Sequence, residues 1–169
     1  MTVHSDFWDL FSLATTWRPL IFTNQNAPKP PAPFASIHLM NADPLPEHIG
    51  MIDDLGNRAI SQHMPMRAQV QFYGDGSWDE AQRFSLKLST VAVEAKAEAL
   101  NIAINSKNQI QDIPALLDGS FYEPRTVFDL DVSYTCSIEE YVSWIEHVRG
   151  VYTDPLRGDL PWAVDVVYN

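Results

Sequence analysis

Asp129 and Asp131 stand two residues apart in Val127 to Tyr134, where apolar and polar side chains alternate. Both carboxylates therefore fall on one face of an extended strand. Carboxylates that close can perturb each other's ionisation or share a cation, and with His63 they would make an acid–base set. A solvated strand face carrying alternating aspartates is the commoner origin of the same pattern. The five histidines, His4, His38, His48, His63 and His147, show neither an HExxH motif nor an i,i+4 pair, so no zinc ligand set is spaced out in the chain. Gly74-Asp75-Gly76 before a helix start is similar to a phosphate cradle, yet it lacks GxGxxG and a Walker Lys-Ser/Thr pair. Asp75, Asp79 and Glu80 would stand where the phosphate goes, and like charge repels it. Cys136 is the single cysteine, without a nucleophile motif or a neighbouring base, and is expected as a buried reduced thiol. Neither catalytic residues nor a metal or cofactor site emerges from these residues.

The elements that would position such groups centre on Met66 to Ser89. Met66, Ala68, Val70 and Phe72 share one strand face, and Arg67, Gln69, Gln71 and Tyr73 the wetter other. Gly74 to Gly76 ends that strand. Ser77 with Glu80 has the spacing of a capping box, and Asp79 and Glu80 suit the positive end of the helix that follows. Ala81, Phe84, Leu88 and Val91 then recur at helical spacing, each large one worth roughly 1.5–3 kcal/mol when buried. Strand and helix make a two-layer core.

Before this centre, Ser5 opens a short capped helix whose aromatic side, Phe7, Trp8 and Phe11, must be covered by its own domain or by another copy. Leu20 to Phe22 has strand character. Asn24 to Pro33 holds four prolines and is expected as a stiff extended loop. Phe34 to Met40 is a strand, Asn41 to Asn57 a long hairpin loop, and Arg58 to His63 a return strand that Pro65 interrupts or bends. After the centre, Val91 to Ala103 continues the helix or forms a second, with a short strand at Ile102 to Ile104. Ile113 to Gly119 is an apolar segment ending in a turn before Phe121 and Tyr122. Ser137 to Val151 fits a capped helix and a β-branched strand about equally well. The tail from Thr153 ends in apolar Trp162 to Tyr168 and is expected to dock as an arm on its own subunit or a neighbour.

The totals bound this reading. A chain of 169 residues with 46% hydrophobic content supports one good core. No run of 18 apolar residues exists, and the N-terminus lacks a basic and then apolar leader, so a soluble protein made in the cytoplasm is expected, without a membrane partner. The formal charge of −11, with 11 scattered basic residues, excludes a surface that grips DNA through its phosphates.

Arg18-Pro19, then Asn24-Gln25-Asn26-Ala27-Pro28 in the proline-rich loop, then Gln69-Val70-Gln71 with Tyr73-Gly74, and later Leu116-Leu117-Asp118 with Glu123, Arg125 and Asp129-Leu130, occur in an order that resembles the neck terminator family of tailed bacteriophages. The likeness spans about residues 15 to 150. The N-terminal aromatic helix has no counterpart in the pattern, and the tail after Gly150 is longer than the family's usual ending. The resemblance implies an α+β subunit, which together with the elements read from the residues gives a mixed, mainly antiparallel sheet packed against one or two helices, with an N-terminal helix and a C-terminal extended arm. It divides the chain into residues 1–150, the terminator-like domain, and 151–169, the arm. It implies a non-catalytic virion protein, without a cofactor, that forms a ring, a hexamer, and terminates the tail tube. Its implied partners are further copies, the tube protein and sheath, and the head-side connector, with DNA passing through the lumen unbound. Phe7, Trp8, Phe11, Asn26, Pro28, Trp162, Val164 and Val166 are the expected subunit or tube contacts. Two other readings compete: a small acidic binding domain or enzyme using Asp129 and Asp131 with His63, and an acidic adaptor that binds a partner through Asn24 to Pro33.

Overall fold

In the computed structural model, which describes residues 2–117 and 121–142 and the short strands at 147–148, 153–154, 158–159 and 166–167, Thr2 rather than Ser5 caps the first helix. Thr2 Oγ1 accepts the Ser5 N–H at 3.3 Å, and Ser5 Oγ accepts the Thr2 N–H at 3.1 Å, a reciprocal box at the start of α1 (Val3–Ala14). The Phe7, Leu10, Phe11 and Ala14 stripe turns inward and is fully buried. The chain continues into β1 (Leu20–Phe22), β2 (Phe34–Ala42), β3 (His48–Ile49) and β4 (Asn57–Tyr73), then α2 (Ser77–Lys87) and α3 (Val91–Ala99). It then forms β5 (Ile102–Asp112), β6 (Ala115–Leu117), β7 (Phe121–Glu123) and β8 (Arg125–Tyr141), followed by two-residue strands β9 (His147–Val148), β10 (Thr153–Asp154), β11 (Gly158–Asp159) and β12 (Val166–Val167).

The main sheet has the order β1-β2-β4-β8-β5, with β3 beside β4. β1 runs parallel to β2, while β2 with β4 and β5 with β8 are antiparallel, so the fold is α+β with a mixed, mainly antiparallel sheet. Three helices contribute to its core, the N-terminal one and the two that follow β4, as expected. Ala68, Val70 and Phe72 of β4 and Phe128, Leu130 and Val132 of β8 point at them, in the alternation read from the sequence. Phe84 sits at the centre, its ring centroid 5.7 Å from Phe11, 5.6 Å from Phe72 and 6.1 Å from Phe128, all edge-on. Each such pair adds roughly 0.5–1.5 kcal/mol beyond area burial.

Several local expectations give way to packing. The helix after Gly76 carries no side-chain cap: Gly76 is left-handed at φ +80°, and Ser77 Oγ instead meets Thr126 Oγ1 at 2.9 Å. Val91 is exposed, because α2 stops at Lys87 and α3 restarts after Thr90, which turns Val93 and Ala97 inward instead. Pro65 does not interrupt β4; its carbonyl accepts the Asp43 N–H at 2.9 Å, and its missing N–H falls beside the β2 bulge at Asn41. The strand expected at Ile102 to Ile104 extends to Asp112, and Ser137 to Tyr141 completes β8 as strand.

The chain divides into two compact units, Met1–Pro46 with Gln62–Cys136 and Glu47–Ser61 with Ser137–Asn169. In the second unit Asp53 Oδ1 accepts the N–H groups of Leu55 at 2.9 Å and Asn57 at 2.8 Å, tying off the turn that precedes β4. Arg58 pairs with Glu140 at 2.8 Å, and the Val142 N–H reaches the Gly56 carbonyl at 2.8 Å. Within the expected arm, β10 pairs with β11, and β12 pairs with β9 of its own chain.

Candidate functional site

The paired aspartates are held by neutral and cationic partners rather than poised for proton transfer. Asp131 accepts Ser106 Oγ at 2.7 Å and Asn108 Nδ2 at 3.1 Å, and Arg67 Nε lies 3.6 Å away. The hydrogen bond from Ser106, then that from Asn108, holds its carboxyl below the usual range, so it stays ionised through neutral pH. Asp129 accepts Gln69 Nε2 at 2.8 Å. These cross-strand bonds place β4 and β8 antiparallel, and His63 lies four residues beyond Arg67 on β4, roughly 13 Å further along. The structure does not bring the three together, and no three metal-ligating side chains converge among the described residues. Cys136 is exposed rather than buried, because β8 has already left the core beyond Tyr134.

The buried carboxylate is Glu80, which the sequence assigns to a cap. Its Oε1 accepts Thr15 Oγ1 at 2.6 Å and the Thr16 N–H at 3.0 Å, and its Oε2 meets Arg83 Nη1 at 2.8 Å. Burial opposes its ionisation, but the bonds from Thr15 and Thr16 and the Arg83 charge outweigh that, and its pKa lies below the ordinary value. It fastens the end of α1 to α2.

The proline-rich loop is pinned to the turn after β4. Phe34 and Tyr73 stack at 4.4 Å with planes 4° apart, and Lys29 Nζ and Arg125 Cζ each lie 5.4 Å from the Tyr73 ring centroid. Lys29 also pairs with Glu123, and Arg125 Nη2 donates to Gln71 Oε1 at 2.8 Å. Gly74, at φ +116°, brings the turn so near the loop that a Cβ would meet Ala32 Cβ at 3.1 Å. Beside this cluster lies a groove of about 340 Å³, walled by Ile21, Phe22, Pro28 and Phe34 and edged by Lys29.

Of the expected contact residues, Phe7 and Phe11 are wholly inside the core, Phe7 packed on Tyr134 and Phe11 on Phe84. Trp8 is partly exposed, but its Nε1 donates to the Leu20 carbonyl at 2.9 Å. Asn26 is exposed on the loop and Pro28 lines the groove. Trp162 and Val164 lie outside the described residues, and the backbone of Val166 pairs with Val148. Unread in the sequence is the apolar turn of the second unit: Ile49 is 57% exposed, Met51 92%, Ile52 44% and Leu55 76%. Its signal was the run Met51-Ile52-Asp53-Asp54-Leu55, greasy inside an otherwise acidic loop.

Residues 5–155 match the model of a family described as phage neck terminator protein. No curated protein matches the chain.

Proposed function

The chain belongs to the phage neck terminator family, structural components of the virion neck and tail, and from that premise we propose that it closes the finished tail tube as a ring of identical copies, a hexamer. The ring would join the tube to the head-side connector, meeting the tube protein and sheath on one side and the connector on the other. Family membership over residues 5–155 carries this reading. The exposed side chains of Ile49, Met51, Ile52 and Leu55 support it, because one copy leaves them in water and further copies can cover them. A repeating head-to-tail contact closes into a ring when its rotation closes.

Six copies at −11 each carry −66 in total, the product of copy number and chain charge. Part of that charge faces the lumen in this reading and keeps passing DNA from adhering. The test is the mass of the purified protein in solution, with electron micrographs of tail tubes incubated with it. A ring seated at one tube end is expected. A protein that stays single at high concentration and decorates no tube end would overturn the proposal, and a lumen lined with Lys and Arg would overturn its electrostatic part.

A further inference from the structure

Two surfaces, one in each unit, fit each other in chemistry. Residues 47–55 expose four large apolar side chains and carry Glu47, Asp53 and Asp54 with no Lys or Arg among them. The Asp53 bonds to Leu55 and Asn57 hold this turn in shape before any partner arrives, which lowers the entropy lost on docking. In the other unit the proline-rich groove is mainly apolar, and its lining includes Lys29 but no carboxylate. Lys29 is half exposed even while paired with Glu123, so its charge still reaches solvent at the groove's edge.

The borders of the main sheet are poor alternatives. Trp8 occupies the Leu20 carbonyl on β1, the strand at one border. At the other border β5 is broken by two register shifts, and Lys107 folds across to Ser85 and Ser89. Bulges and a lysine blunt an edge against strand addition. Side-chain docking remains.

We propose that the 47–55 turn of one copy docks in the proline-rich groove of the next, with Met51 and Leu55 filling the apolar walls and Asp54 facing Lys29. The inference rests on the ring reading above and names its contact. Charge favours a second copy as the occupant: an acidic turn needs a receptor with a cation, and the groove supplies Lys29, which its pairing with Glu123 leaves half exposed to a second carboxylate. The unbranched Met51 side chain adapts to an irregular groove. Turn and groove are different patches, so every copy gives one contact and receives one, and the pattern repeats.

The test uses the full chain with Cys136→Ser, in one preparation carrying Leu55→Cys and in another Ala27→Cys. Mixed under oxidising conditions, with tail tubes added in a parallel sample, the two should form a covalent dimer about tenfold above either preparation alone, because docking raises the thiols' effective concentration. Met51→Ser with Leu55→Ser should abolish association and leave the far-ultraviolet circular dichroism of the single copy unchanged, since both side chains are exposed there. Rings that assemble without the mixed disulfide, or that survive the double serine variant, would overturn this contact and leave the ring reading standing. A protein that neither assembles nor cross-links, with or without tubes, would overturn both.

Discussion

Glu80 accepts a 2.6 Å hydrogen bond from the hydroxyl of Thr15, 65 residues earlier in the chain, and is only 1% exposed. The contact ties the C-cap of α1 to the first turn of α2. Glu80→Ala should cost about 2–3 kcal/mol in urea unfolding, because the Thr15 hydroxyl and the Thr16 N–H lose their buried acceptor. Glu80→Gln should cost less, since an amide oxygen can still accept from both.

The same carboxylate makes stability depend on acid. Its folded pKa lies below the ordinary 4.5, so the unfolded chain binds the proton more readily. The stabilisation is present above that ordinary value and is lost as pH falls through the folded one. Urea midpoints measured from neutral pH downward should drop more steeply for the native chain than for Glu80→Gln. Parallel slopes in the two proteins would remove Glu80 as the cause.

Phe7 and Trp8 are neighbours in sequence with opposite duties. Phe7→Ala should cost about 3–5 kcal/mol, the loss expected of a fully buried aromatic residue. Trp8→Phe should cost about 1 kcal/mol, the hydrogen bond to Leu20 on a sheet border. Chemical unfolding separates the two. Were Phe7 a contact between copies instead, its loss would lower the assembled mass and barely move the unfolding midpoint.

Strand faces and helix stripes were legible because alternation and 3.6-residue spacing act locally. Val70, Phe72, Phe84, Leu130 and Val132 are all where those periods put them. What local pattern misses is competition for one side chain. Ser77 and Glu80 have capping-box spacing, yet Thr126 and Thr15, distant in the chain, offer buried partners and win. Phe7 and Phe11 share an aromatic face that periodicity alone leaves open to two fates, and only the position of Phe84 decides for the core. The exposed turn is illegible for a related reason: Met51 and Leu55 sit in a loop, where no period shows which side chains stay in water.

Gly74 and Gly76 separate strain from crowding. Both have positive φ, +116° and +80°, so alanine is strained at either. Around Gly76 nothing lies within 4 Å, whereas at Gly74 a Cβ would press on Ala32 Cβ at 3.1 Å and Pro33 Cα at 3.3 Å. Backbone strain alone is worth about 1–2 kcal/mol, the expected loss for Gly76→Ala. Gly74→Ala should lose about 1–3 kcal/mol more, since the proline-rich loop must shift to admit the methyl group. That shift would also loosen the Phe34 and Tyr73 stack, whose near-parallel rings wall the groove. Melting curves give the stability difference, and near-ultraviolet circular dichroism follows the aromatic pair. Equal losses for the two glycines, with an unchanged aromatic signal, would mean that the loop does not press on the turn.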